Sequence, residues 1–206
     1  QGLLKSALVA RAASGIRFGM DRASSRERMA ARFYDVRLPV ARERHAVERN
    51  RDLVAQVFGY KPRAAAVYGL VAPQMPPASA PAAPYVVLLH AASRTRKGWP
   101  EERWIALGQR FVSDGLTPVV VWGSGEEEQR AQRIAAACGG VVPPFLSVAD
   151  MAAVLARAQR IVGLDTGFSH LAAALGRPTI GIYCDHEPGL AGITLLPSGA
   201  VALIYN

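Results

Sequence analysis

Asp165, Thr166, Gly167 and His170 fall within six residues, where the apolar run Ile161–Leu164 gives way to the small-residue pattern Leu171–Leu175. A strand that ends in an acid and feeds a helix presents unpaired backbone N–H groups and a partial positive charge. Such a corner suits a phosphate or a polar sugar. Asp165 and His170 add groups that a neutral scaffold does not need there. Each also has a plainer role open to it: Asp165 as the helix N-cap, His170 as a residue packed on a sheet. Two further clusters carry chemistry. His90-Ala91-Ala92-Ser93-Arg94-Thr95-Arg96-Lys97-Gly98-Trp99 combines small residues, hydroxyls and three cations, a composition suited to a diphosphate or simply to an exposed basic turn. Gly123-Ser124-Gly125-Glu126-Glu127-Glu128 could bring one carboxylate to a ribose diol. Glutamates in a helix's first turn are also favoured by its dipole alone.

The surrounding pattern explains how these clusters would be positioned. Apolar strand runs at 85–89, 117–122, 160–164 and 179–183, with a weaker one at 141–142, alternate with helical segments at 100–114, 125–138, 147–159 and 167–175. Near-continuous apolar strands alternating with helices predict an α/β domain with a parallel sheet covered on both faces, of Rossmann-like type. Ligands of such sheets bind at the carboxyl ends of the strands, where all three clusters fall. No Gly-x-Gly-x-x-Gly opens the first helix and no Walker A sequence occurs, which disfavours a dehydrogenase or a P-loop enzyme.

Upstream, the sequence predicts a helix over 3–13, a short strand over 16–20, a helix from Arg26 capped by Ser24 or Ser25, and an amphipathic helix over 45–58. In that last helix Val47, Leu53, Val54 and Val57 are expected to face inward. Residues 72–84 hold five prolines among alanines, which excludes helix or central strand and predicts a linker. The expected organisation is residues 1–71, a linker at 72–84, and a Rossmann-like domain over 85–206.

The 206 residues are 50% hydrophobic, enough for a core. No run approaches the roughly 20 apolar residues that span a bilayer. Cys138 and Cys184 show no metal or redox spacing and are expected to be reduced packing residues. No metal site is expected. The net charge of +8 lies wholly in residues 1–63, which hold 14 Lys+Arg against 6 Asp+Glu. That asymmetry favours an anionic partner. A nucleic-acid partner is not expected, because the basic third lacks aromatic interleaving and any recognition motif. The chain opens at Gln1 and stops within the apolar run Ala200–Tyr205, so a piece of a longer protein is expected.

The blocks His90-Ala-Ala-Ser…Lys97-Gly-Trp99-Pro100…Trp104, Trp122-Gly123…Glu127-Glu128, Asp165-Thr-Gly-Phe-Ser-His170-Leu-Ala-Ala-Ala-Leu and Pro188-Gly189-Leu190 resemble the lipopolysaccharide heptosyltransferases. These are family 9 glycosyltransferases of the GT-B fold. The start Gln1-Gly-Leu-Leu-Lys5-Ser-Ala7 and the Lys-x-Trp-Pro loop resemble their type I branch more than type II. The resemblance implies transfer of heptose from ADP-heptose to Kdo of Kdo–lipid A, on the cytoplasmic face of the inner membrane, by a peripheral enzyme needing no cofactor. Residues 1–71 would then be the second part of the N-terminal, acceptor-binding Rossmann-like domain. Carried over by position, Ser93 and Lys97 would hold the diphosphate, Glu127 the ribose, and the stretch near Leu146 the adenine. Asp165 would hold heptose hydroxyls, and Thr166, Gly167 and His170 would contact the diphosphate and sugar. Lys5 and Arg26 would meet anionic acceptor groups. The family's catalytic base is an Asp upstream of the matched region, so this chain alone is expected to bind donor and not to transfer it. Two departures stand out: Cys184-Asp185-His186 replaces a common Gly-Pro, and Ala92 stands where many relatives carry a hydroxyl. Another family 9 transferase with a different acceptor fits the same residues.

Overall fold

Tyr85–Leu89 has no charged residue, and in the computed structural model all five residues are buried. The structure describes residues 2–63, 66–73, 81–82, 84–92, 98–184, 188–193 and 201–204. The chain forms two compact units, residues 1–66 with 189–191, and residues 67–188 with 192–206.

The larger unit is a five-stranded parallel sheet. Its strands are β3 (Tyr85–Leu89), β4 (Thr117–Val120), β5 (Arg160–Leu164), β6 (Thr179–Tyr183) and β7 (Val201–Ile204), in the order β4-β3-β5-β6-β7. The helices are α3 (Glu101–Ser113), α4 (Gly125–Cys138), α5 (Val148–Arg157) and α6 (Gly167–Ala174). Alternation along β3 divides the core in two. Tyr85, Val87 and Leu89 pack with Met151, Val154 and Leu155 of α5 and Ala172 of α6. Val86 and Leu88 pack with Trp104 and Phe111 of α3 and Ala131 and Ile134 of α4. The sheet is therefore covered on both faces. Close approach is secured by small residues: a side chain at Gly108 on α3 would collide with Cys138 on α4, and one at Gly163 on β5 with Ser169 and Leu89. Tyr85 adds a polar tie, its hydroxyl donating to the Val154 carbonyl at 2.7 Å.

The smaller unit holds α1 (Leu4–Arg11), β1 (Phe18–Met20), a 3-10 helix (Arg28–Phe33), β2 (Val36–Leu38) and α2 (Ala46–Phe58). β1 and β2 pair in parallel. Ala7, Ala30 and Tyr34 form one buried cluster, and Met20, Val40 and Leu53 another. Gly19 lies under the Tyr34 ring, with no room for a side chain.

Several sequence expectations change. No α-helix starts at Arg26. The 3-10 turn begins at Arg28 with Glu27 at its N-cap. Ser24 and Ser25 are buried instead of capping: Ser24 Oγ accepts from the Val40 N–H at 2.8 Å, and Ser25 Oγ donates to the Met20 carbonyl at 3.2 Å. Both hydroxyls thus serve the strand ends. On α2, Leu53 and Ala55 are the buried residues and Val54 is exposed, because at about 100° per residue Val54 falls between them on the arc that faces solvent. The 141–142 run is reduced to one bridge, Val119 to Val141, so Asp165 follows the third strand of this sheet. β4 stops at Val120, and β2 and β7 were not foreseen. Of the predicted linker, residues 74–80 and 83 fall outside the described residues.

Candidate functional site

In the order β4-β3-β5-β6-β7, connections from β3 leave toward both edges. β3 and β5 are neighbours whose following helices lie on opposite faces. A crevice opens outside the carboxyl ends at such a reversal. Here it is a cleft of about 290 Å³. Leu89, Val121, Met151 and Phe168 give it apolar walls, Ala91, Ala92 and Gly123 bring backbone close, and Glu127, Thr166 and Trp122 supply polar edges. An apolar slot with a few convergent polar groups is the usual form of a small-molecule site.

Each polar group is held by local structure. Ser124 caps α4, accepting from the Glu127 N–H, and Glu127 Oε2 accepts from the Gly123 N–H at 2.7 Å. That bond folds the carboxylate back over the loop at the cleft rim. Trp122 donates from Nε1 to the Pro143 carbonyl at 2.8 Å and meets the Phe145 ring edge-on at 5.7 Å. At the end of β5 the N-cap position of α6 belongs to Thr166, not Asp165, and the Thr166 side chain makes no capping bond. Helix α6 is instead anchored by Ser169, fully buried, whose Oγ donates to the Leu164 carbonyl at 2.7 Å. Thr166 is left at the cleft, and no atom lies within 4 Å of where a Gly167 side chain would begin. The first turn of α6 therefore starts beside the cleft, with Thr166 lining it.

Asp165 and His170 form a pair at the rim, Nε2 of His170 lying 3.5 Å from Oδ1 of Asp165. Asp165 is largely buried and His170 half exposed, with side chains 15% and 41% accessible. His170 is thus not packed into the sheet. Neither lines the cleft itself; both stand beyond Thr166. Leu146 is buried in the core and does not line the cleft, where Met151 and Phe168 form the wall next to it in the fold. Ser93 and Lys97 lie outside the described residues. Lys5 and Arg26 are both exposed in the smaller unit. They flank a backbone contact in which Glu27 Oε2 accepts from the Leu4 N–H at 2.6 Å, so the N-terminus of α1 already holds a carboxylate of its own. Among the described residues, no three His, Cys, Asp or Glu side chains come together as metal ligands, and no helix is long and apolar enough to cross a membrane.

The sequence did not single out Met151, Phe168 or His90 for what they do. Phe168 was legible as an apolar residue in the first turn after a strand end; Met151 read as ordinary helix core. His90, ending β3, is 1% exposed, with neither ring nitrogen hydrogen-bonded. Burial, aided by the Arg130 charge, pushes its pKa down to about 4.

A doubly wound parallel sheet with an apolar slot and polar rim at its reversal point defines a domain of Rossmann-like type. The model of glycosyltransferase family 9 (heptosyltransferase) matches residues 1–201, and the chain belongs to that family. It is 43% identical over 195 residues to lipopolysaccharide heptosyltransferase 1 of Escherichia coli K12, a match covering 93% of this chain and 61% of the relative. The Pseudomonas aeruginosa enzyme of the same name is 45% identical over 195 residues, covering 93% and 55%. Among solved structures, E. coli heptosyltransferase WaaC with ADP superposes with a TM-score of 0.83 at 37% identity, covering all of this chain and 65% of that one. WaaC with ADP-2-deoxy-2-fluoro heptose gives 0.80 at 38%, covering 97% and 65%. E. coli heptosyltransferase II shares the fold, with a TM-score of 0.66 at 19% identity over all of this chain and 66% of that one. The chain spans less than two thirds of the curated relatives it matches.

His90 gives this site a pH signature. Its folded pKa lies below the ordinary value of 6.5, so between about pH 6.5 and 4 the unfolded chain binds the extra proton. Its neutral form favours folding fully above pH 6.5, and that advantage is lost as pH falls to 4, on the order of 3 kcal/mol in all. Urea unfolding midpoints should fall from pH 7.5 to 4.5, and His90→Leu should flatten that slope. An unchanged slope in the variant would remove His90 as the cause.

Proposed function

We propose that the protein acts as an ADP-heptose:lipopolysaccharide heptosyltransferase, moving heptose from ADP-heptose to a Kdo residue of Kdo–lipid A. The observation that carries this reading is the cleft at the β3/β5 reversal, in a chain similar over its whole length to a heptosyltransferase solved with ADP. Adenine would lie between Met151 and Phe168. Glu127, with Oε2 engaged by Gly123, would offer Oε1 to the ribose. The diphosphate would meet the Thr166 hydroxyl, the first N–H groups of α6, Ser93 and Lys97. Asp165 would accept hydrogen bonds from heptose hydroxyls, and His170, held against it, would border the sugar–phosphate junction.

The reaction breaks the bond between the anomeric carbon and the phosphate oxygen, leaving both electrons on ADP, while the acceptor oxygen bonds to that carbon and passes its proton to a general base, a role that falls to none of the residues named above. Negative charge grows on the leaving diphosphate. Lys97 and the N-terminus of α6 would stabilise it, the electrostatic contribution that usually dominates such catalysis. In this reading no cofactor or metal takes part, the protein's own cations and dipoles serving instead.

The acceptor side rests on the first 63 residues. Lys5 and Arg26 would meet the carboxylate and phosphates of the acceptor, and the net charge of +8 there would hold the protein at an anionic cytoplasmic leaflet, where each cation near the surface contributes about 1 kcal/mol.

Two measurements test these halves. In calorimetry, Asp165→Ala should weaken ADP-heptose by about tenfold, the loss of a charged hydrogen bond to a hydroxyl, while ADP affinity stays unchanged; equal affinity of the variant for ADP-heptose would remove Asp165 from the sugar. In sedimentation with vesicles, binding to anionic lipid should exceed binding to neutral lipid and fall with added salt. Equal partition would remove the membrane surface as a partner.

A further inference from the structure

Glu27 ties together two segments of the smaller unit that are far apart in sequence. Its Oε2 accepts from the Leu4 N–H at 2.6 Å, and its own N–H donates to the Gly2 carbonyl at 2.9 Å. Gly2 makes the contact possible. Its φ is +81°, and a side chain there would meet the Arg26 nitrogen at 2.9 Å and the Ser25 Cα at 3.2 Å. Only glycine lets the two backbones approach so closely. The segment that Glu27 ends is itself held firmly. Ser25 is fully buried with its hydroxyl on the Met20 carbonyl, and Arg49 Nη2 donates to the Ser24 carbonyl at 2.6 Å.

The ordinary explanation of such a carboxylate is a cap for α1, whose own N-cap residue, Leu3, makes no side-chain capping bond. A cap needs one bond to a helix N–H and no particular neighbour. Here the capping residue also brings its own backbone onto Gly2, and the residues beside the clasp carry charge. Lys5 directly follows the bonded Leu4, and Arg26 directly precedes the bonded Glu27; both are exposed. Two cations from distant parts of the sequence therefore stand on adjoining backbone, with one carboxylate joining their segments. Like charges held near one another repel, and a small anion that meets both relieves that repulsion.

We propose that Glu27 is a positioning residue for the acceptor: its reach to the Leu4 N–H sets the spacing of Lys5 and Arg26, and that spacing, more than the charge of Glu27, governs affinity for the anionic sugar of the acceptor. This rests on the reading of Lys5 and Arg26 as acceptor contacts. Plain electrostatics expects the opposite, a carboxylate beside two cations weakening the binding of any anion. An anionic lipid surface responds to the net charge near it and not to the spacing of two side chains, so it gains nothing from the clasp.

The test is calorimetry of soluble, fully deacylated Kdo–lipid A and of ADP with the 206-residue chain and its variants. Glu27→Asp keeps the charge and is one methylene too short to reach Leu4. It should weaken the acceptor by about fivefold or more, with ADP unchanged and with anionic vesicles bound as the unaltered chain binds them. Glu27→Gln loses the charge and keeps both the reach and an accepting oxygen. It should bind the acceptor at least as tightly as the unaltered chain. Equal acceptor losses in the two variants, an unchanged acceptor affinity in Glu27→Asp, or a loss in Glu27→Asp that extends equally to ADP or to the vesicles would each overturn the proposal. If the unaltered chain binds no acceptor, or Lys5→Gln and Arg26→Gln bind it undiminished, the acceptor reading of these cations fails and this inference falls with it. Losses in those two variants without one in Glu27→Asp overturn the inference alone.

Discussion

Parallel pairing of β3 on both of its edges is the constraint on which the site depends. β3 can sit between β4 and β5 only if all five of its residues are buried, and Tyr-Val-Val-Leu-Leu permits that. Once it is central, the chain must cross over to opposite faces after β3 and after β5, and their ends diverge to leave a crevice. Polar residues placed just beyond Leu89, Val120 and Leu164 then converge without touching in sequence. Glu127, Thr166, Ala91 and Ala92 come from three separate connections and share one cleft.

Close packing fixes the remaining geometry. Gly163 lets Ser169 press onto β5, and the Ser169–Leu164 hydrogen bond sets where α6 begins. Because Ser169 performs the anchoring, the Thr166 side chain makes no capping bond and stands at the cleft, and Asp165 pairs with His170. The α3/α4 side works similarly. Gly108 seats Cys138, bringing α4 close enough to α3 for Arg130 and Arg133 to reach Glu101.

Much of this was legible because periodicity and strand-end chemistry are local. The bounds of α4 and β5 and the clustering of Asp165 through His170 at a strand end follow from residue types within a few positions. What was not legible depends on long-range contacts. Ser24 and Ser25 read as helix caps, yet Val40 and Met20, far or turned away in sequence, claim their hydroxyls. Leu146 lies in the core while Met151, five residues on, meets the cleft, a difference that only the seating of α5 decides. His90 looked like a loop residue and is buried at the end of β3. No pattern in a single sequence marks Glu27 off from other exposed glutamates, because both groups it meets are backbone atoms.

The central claim is that a nucleoside diphosphate occupies the crevice between the ends of β3 and β5. A crystal structure of this chain with ADP addresses it most directly. Adenine is expected against Met151 and Phe168, the ribose within hydrogen-bonding distance of Glu127, and the diphosphate over Thr166 and Gly167. ADP bound elsewhere on the chain, or ADP in the crevice with its phosphates turned away from the start of α6, would contradict it.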